Sequence, residues 1–307
     1  LLGLGQTFVI IGAGIDLSVG WVMSLCSVTS ALAIRWAFNH GLPLFPSAVI
    51  GFTAAVATAA LIGFVNGVII AKLKVPAFIV TLGTLSIFTA IALLYSGGSS
   101  IQNNRLPDII NVTGETFKIG KFSITVGVIM VLLLYCIVGF ALTQTAWGRH
   151  IFAVGDDIES ARLSGVASKR ILLSVYTVAG LIYGFAAWIL IGRAGSATAN
   201  GIPDANLDSI TAVVIGGTSL FGGRGGLIGS LLGALIVGAA FQRQRAPVAG
   251  VAPVQLCAVD AQLVVVAIVV AFAMRHRQTQ PGAFAGNVGA GTQLARAIAA
   301  DAAFGET

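Results

Sequence analysis

Charge is what this chain has least of. Asp, Glu, Lys and Arg make up 9% of its 307 residues, against 57% that are hydrophobic, where a soluble domain carries roughly 25% charged residues. That shortage excludes an ordinary water-soluble fold. Cysteine is also scarce: Cys26, Cys136 and Cys257 lie in or beside apolar runs, and no two share metal-binding or redox spacing. They read as small buried hydrophobes, with no disulfide framework and no metal site. His40, His150 and His276 all fall at loops or at the ends of apolar runs, so no span holds the clustered His, Asp, Ser or Lys that a polytopic membrane enzyme needs. The net charge of +6 invites a nucleic-acid reading, but the basic residues are scattered and form no patch with interleaved aromatics.

What is present is a series of long apolar runs. Those at about 17 to 38, 47 to 71, 76 to 96, 123 to 145 and 171 to 192 reach the about 20 residues a helix needs to cross the hydrocarbon. Lipid cannot satisfy open backbone groups, so each is read as a helix. Shorter runs at about 1 to 14, 208 to 221, 227 to 241 and 261 to 274 read as tilted spans, broken helices or half-helices. The fold class is therefore all-α, a polytopic transmembrane bundle with broken or short helices. Orientation follows the inside bias of basic residues: Lys72, Lys74, Arg149, Arg162, Lys169, Arg170, Arg224, Arg275 and Arg277 fall on one side if their loops are cytoplasmic. The segment from about 97 to 122 and the Asn39 to Pro46 turn then lie outside.

Several polar positions stand out inside this apolar frame. Asp16, in Gly14-Ile15-Asp16-Leu17-Ser18-Val19-Gly20, has apolar sequence on both sides, where a carboxylate costs about 2.5 to 3.5 kcal/mol on insertion scales. The glycines let the helix break there, and Asp16 and Ser18 can cap the exposed N–H groups. Such a break also lines the substrate path in transporters with discontinuous helices. A second region runs from Leu207 and Asp208 through Gly216, Gly217, Gly222 and Gly223 to Gly226, with Arg224 among six glycines. It lacks the Gly-Lys-Ser/Thr ending of a phosphate cradle and reads as a tight cytoplasmic turn. Asp204, Asp208, Asn200 and Asn206 read as helix caps at the outer face. Leu61-Ile62-Gly63 with Gly67 is echoed by Leu227-Ile228-Gly229 with Gly233, a small-residue spacing that allows close helix packing. Asn66, between the first pair, is an interhelical hydrogen bonder or lines the path.

Between two apolar runs lies a polar, Gly-punctuated island at 147 to 165. It holds Gly148, Arg149, Gly155, Asp156, Asp157, Glu159, Ala161, Arg162, Ser164 and Gly165, and it reads as a docking loop within 146 to 170. Asp156 and Glu159 have capping-box spacing, which predicts a short surface helix over about 157 to 165. Glu159-Ser160-Ala161 followed by Gly165 resembles the Glu-Ala-Ala-x-x-x-Gly loop of ATP-binding-cassette (ABC) importer permeases. Together with Gly14 to Gly20, Val75 to Gly83 and Leu207 to Gly226, taken in order, it resembles the ribose-type monosaccharide branch of the permease superfamily that also carries branched-chain amino acids.

That resemblance runs from about residue 3 to 240. It implies a type II-like importer membrane domain in the bacterial inner membrane that dimerises, docks cytoplasmic ABC ATPase subunits through residues 156 to 165, and receives a monosaccharide from a periplasmic or lipid-anchored binding protein. ATP and Mg²⁺ would sit on the partner ATPase, with no cofactor, metal or catalytic residue on this chain. Gly14, Asp16, Ser18, Gly20, Asn66, Asp208, Gly216 and Gly217 would border the translocation path. An ion-coupled secondary transporter also shows broken helices and a buried Asp but has no need of the 148 to 165 loop. The permease domain is expected over 1–277, continuing upstream of Leu1, with 278–307 a disordered tail. After Ala240 the pattern fades, Gln242-Arg243-Gln244-Arg245 standing where a turn is expected, as a shifted reading frame would produce.

Overall fold

The computed structural model describes residues 1–102, 113–119, 122–199 and 204–245. The second apolar half of the chain's end falls outside these residues, so Cys257, His276, the 261 to 274 run, the 278–307 tail, Asn200 and the outer residues 103–112 are not placed. Ten helices are described: α1 (Leu2–Ile11), α2 (Val19–Asn39), α3 (Leu44–Leu73), α4 (Ala77–Ser96), α5 (Val126–Gln144), α6 (Ala146–Asp156), α7 (Ile158–Leu163), α8 (Ser168–Ala194), α9 (Ala205–Ile215) and α10 (Leu227–Arg245). Five of them, α2, α3, α4, α5 and α8, are long and apolar enough to cross a membrane. They coincide with the five long runs of the sequence. The chain is a polytopic helical membrane protein. α1, α9 and α10 are the short apolar helices, and the Gln242 to Arg245 segment continues α10 as helix.

Four short strands join the helices. β1 (Ile101–Gln102) pairs antiparallel with β4 (Ser196–Ala197), and β2 (Thr116–Ile119) forms a hairpin with β3 (Phe122–Thr125). All four lie in the segments that separate apolar runs at the end of the bundle opposite the docking loop.

The helix boundaries follow local chemistry. Pro43 and Pro76 precede α3 and α4, where a missing N–H costs nothing. α4 closes on Gly97 with φ +64°, the Gly98 N–H reaching back to the Leu93 carbonyl.

α3 and α8 run antiparallel in backbone-close contact: Gly67 abuts Leu173, Gly63 abuts Tyr176 and Gly180, and Gly184 abuts Ala55 and Val56. A methyl group at Gly63 or Gly180 would collide with the opposite main chain, so the small-residue spacing is a packing requirement. The echoed pair does the same between α9 and α10, with Gly229 against Gly216 and Gly233 against Ala212. α1 descends along α8 from Gly5 at Tyr183 to Gly12 at Val175. α8 is central and buries 67% of its most apolar stretch, whereas α5 buries 17% of its own and turns Ile129, Leu133, Ile137 and Phe140 outward as lipid would require. Cys26 is buried, but Cys136 lies exposed on that outer face of α5, contrary to its reading as a core residue. The antiparallel register brings Lys72 and Lys74 to the same end of the bundle as Lys169 and Arg170, and Arg149, Arg162 and Arg224 join them. All seven are exposed. That end is the cytoplasmic one by the inside bias.

Candidate functional site: a broken helix and the helix pair packed against it

α1 ends abruptly. The Ala13 N–H returns to the Ile10 carbonyl and the Gly14 N–H to the Val9 carbonyl at 2.9 Å, closing a Schellman turn with Ala13 at φ +58°. Ala in the left-handed region is strained where Gly would not be. Six residues later α2 begins. Between them Asp16, 3% exposed, accepts the Ser18 N–H at 2.8 Å and the Ser18 hydroxyl at 2.6 Å through one oxygen, Oδ1. The predicted break is real, and Asp16 shapes it as a turn two residues ahead of α2. The Gly20 N–H at the start of α2 donates instead to Asn206 Oδ1 of α9 at 2.6 Å. Asn206 thus caps a helix end, as its reading expected, but that of α2 from across the bundle. Asp204 precedes α9 without a side-chain cap bond, and Asp208 stands half-exposed on its first turn.

The polar island at 147 to 165 folds as two helices. Thr145 turns α5 into α6, accepting the Gly148 N–H at 3.3 Å. α6 is amphipathic, burying Gly148, Ile151, Val154 and Gly155 and exposing Arg149 and His150. Trp147 locks it to the bundle, its indole N–H donating to Ser174 Oγ of α8 at 2.7 Å and its ring lying 5.5 Å from that of Phe8 on α1. Helix α7 follows after one residue. Its cap is Asp157, whose Oδ1 accepts the Glu159 and Ser160 N–H groups at 2.8 and 2.9 Å; the expected cap at Asp156 is corrected, because Asp156 is still the last residue of α6. These backbone bonds hold the exposed Asp157 carboxyl below the usual carboxylate range. Glu159 and Arg162 form an exposed ion pair at 2.8 Å, worth little by itself. Ala161 is buried. Gly165, at φ +85°, closes α7 in a Schellman turn, with its own N–H on Arg162 and that of Val166 on Ala161. Ser164 and Gly165 face open space. The helix is shorter than the predicted 157 to 165 span because Gly165 takes the left-handed conformation that ends it.

Four motifs spread over more than 200 residues of sequence meet around residues 11 to 20. From α4, Thr81 of the Val75 to Gly83 stretch donates to the Ile15 carbonyl at 3.2 Å. From the glycine-rich turn, the Gly223 N–H donates to the Ile11 carbonyl at 2.9 Å. Gly155 of α6 packs its bare Cα against that same carbonyl and the Gly223 nitrogen, and Gly222 packs against Gly155 and Ala13. Any side chain at these three glycines would push the segments apart. Gly216 sits on Gly229 of α10, and Gly217, at φ +84°, ends α9 in a further Schellman turn.

Behind the break lies a buried polar cluster that the sequence reading missed in part. Asn66 Nδ2 donates to Ser18 Oγ at 3.4 Å, and the Tyr183 hydroxyl donates to Gln6 Oε1 at 3.3 Å. The Tyr176 hydroxyl occupies the space where Gly14 would carry a Cβ. Asn66 Oδ1, Gln6 Nε2 and the Tyr176 hydroxyl are buried without a partner, each at a cost of about 1–3 kcal/mol. Gln6, within an apolar run, was the one signal in the sequence that could have found this cluster. Among the described residues no three His, Cys, Asp or Glu side chains come together as metal ligands would.

Comparison with known proteins agrees with this architecture. The profile of a family described as "branched-chain amino acid transport system / permease component" matches residues 1–274, past the point near 240 where the motif pattern fades. Similar curated proteins include a fructose import permease protein of Rhizobium meliloti, 46% identical over 241 residues, covering 78% of this chain and 65% of the relative. A ribose import permease protein of Escherichia coli strain K12 is 35% identical over 239 residues, covering 78% and 71%. An autoinducer 2 import system permease protein of Klebsiella pneumoniae is 33% identical over 240 residues, covering 77% and 65%. The chain thus spans about two thirds of the length of these relatives. No solved structure matches it.

Proposed function

This chain belongs to the branched-chain amino acid transport system permease family, and from that membership we propose that it is the membrane-spanning subunit of an ATP-driven importer that translocates a monosaccharide. A periplasmic or lipid-anchored binding protein delivers the sugar, a second permease copy completes the pathway, and two cytoplasmic ABC ATPases dock on α7. ATP and Mg²⁺ are bound and used by the ATPase, so this subunit carries no cofactor and performs no chemistry of its own. The named relatives that import fructose and ribose favour sugar over the amino acids of the family description. The ion-coupled alternative draws no support from the family match.

The single observation that carries the reading is the joint at Ile11. Gly155 of α6 and Gly223 of the glycine turn both rest on its carbonyl. Backbone held this closely moves together, because packed main chain has no slack to absorb a shift. A displacement of α7 by the closing ATPases therefore passes through α6, gripped at Trp147 and Gly155, into the end of α1 and the break at Gly14 to Gly20. The path opens or closes there as the two conformations exchange.

The test is co-purification of the chain with its partner ATPase, followed by ATP hydrolysis in lipid with and without the sugar-loaded binding protein. Hydrolysis stimulated by the binding protein is the expected result. Absence of any associated ATPase would overturn the importer assignment.

A further inference from the structure

The unpartnered groups behind the break point to a ligand. Gln6, Asn66 and Tyr176 are 0%, 1% and 2% exposed, come from α1, α3 and α8, and each holds back one hydrogen-bonding atom. Two hydrogen-bonded links hold the first two in place: Asn66 to Ser18 and Ser18 to Asp16, and separately Gln6 to Tyr183. Tyr176 and Tyr183 both lie within electrostatic reach of the Asp16 carboxylate. Protein interiors rarely leave such groups unpaired, and here three do so around one helix break.

We infer that Gln6, Asn66 and Tyr176, with Asp16, form the permease's own transient binding site for the hydroxyls of the sugar in transit, closed in this conformation by α1. The inference rests on the importer reading above. Its ligand chemistry follows from the free atoms. Gln6 Nε2 offers donors, Asn66 Oδ1 offers an acceptor, and the Tyr176 hydroxyl can serve as either. A polyol, whose every hydroxyl both donates and accepts, satisfies such a set. An amino acid is served less well: no Lys, Arg or His is among the buried described residues, so its carboxylate would find no cation to pair with. The set thus favours hydroxylated cargo, whose groups it can pair, over cargo whose carboxylate it would leave unpaired. The joint at Ile11 supplies the means of exposure, since withdrawing the end of α1 lifts Gly14 off the Tyr176 hydroxyl.

The experiment uses proteoliposomes holding the permease with its ATPase and binding protein, and the probes are radiolabelled fructose, ribose and leucine. Tyr176→Phe removes one unpartnered oxygen and keeps the ring; Gln6→Leu removes the second group. Both are expected to lower the sugar moved per ATP hydrolysed about tenfold, with binding-protein-stimulated hydrolysis within twofold of wild type and thermal stability undiminished. Ser30→Ala is the control, because the Ser30 hydroxyl is also buried and unpartnered but lies on α2 beside Ile34 and Gly51, away from the break. It should transport as wild type, and leucine should not move. Wild-type sugar-to-ATP ratios in both variants, an equal loss in Ser30→Ala, or leucine moving as fast as sugar would overturn the site. A complex whose hydrolysis ignores the binding protein and which moves no probe overturns the importer reading itself, and this site with it.

Discussion

Asp16 and Asp157 make the same local turn in opposite surroundings. Each uses Oδ1 to accept a backbone N–H two residues on, Ser18 at 2.8 Å and Glu159 at 2.8 Å, and each stands just ahead of a helix. Asp157 does so in the open between α6 and α7, where water solvates the charge and the carboxylate adds a favourable interaction with the start of α7. Asp16 does so at 3% exposure, with a single side chain supplying its second bond. On the surface the turn is an ordinary cap. In the interior it places a carboxyl group, expensive to bury, where the chain must break.

The contrast can be broken most severely at Asp16. Asp16→Ala leaves the Ser18 N–H and hydroxyl buried and unpaired, at about 1–3 kcal/mol, and is expected to abolish transport; Asp16→Asn keeps the acceptor, so it should restore the fold more than the activity. Asp157→Ala should reduce ATPase pull-down and leave the membrane bundle intact. Because the Asp157 carboxyl is held below its ordinary value, its contribution is present above the usual carboxylate range and lost as pH falls through the lowered value. ATPase association measured from pH 7 downward should therefore persist to the ordinary carboxylate range before weakening. An Asp157→Ala variant that failed to insert would erase the proposed difference between the two carboxylates.

The joint itself gives the next largest effect. Gly155→Val drives a side chain into the Ile11 carbonyl and the Gly223 nitrogen and should uncouple hydrolysis from transport while ATPase still binds. Equal loss of both activities, read in the same liposomes, would instead mark Gly155 as a folding residue.

The smallest effects separate the Schellman turns at Ala13 and Gly165. Gly165→Ala places a side chain at φ +85° and should cost about 1 kcal/mol of α7 stability through strain alone, since open space surrounds it. Ala13→Gly relieves the same strain at the break and should raise the melting temperature slightly. Thermal denaturation of the two variants with opposite signs would sharpen the comparison; matching signs would dissolve it.

Much of this was legible from residues alone. The five spans coincide with the apolar runs within a few residues, because span length and hydrocarbon thickness leave no alternative. The break at Gly14 to Gly20 and the turn at Gly216 to Gly226 were visible because glycine clusters and a lone carboxylate are abnormal in such a setting. The cap was misplaced by one residue, from Asp157 to Asp156, because both acids have a helix-start pattern and only backbone geometry separates them. Tyr176 and Tyr183 were invisible as site residues: on α8 they read as two more amphipathic aromatics in a long span.

Composition and run length determined by themselves that this is a polytopic helical membrane protein and where its spans lie, and the placement of basic residues gave the end expected to face the cytoplasm. Those properties depend on solvent exclusion, which acts on each segment separately. That Asn206 caps α2, that Gly155 and Gly223 share one carbonyl of α1, and that Gln6, Asn66 and Tyr176 are each buried with an unpaired atom was decided only by the tertiary structure. Contacts between residues tens to hundreds of positions apart depend on how helices pack, and a one-dimensional pattern of apolar and polar residues contains no term for it.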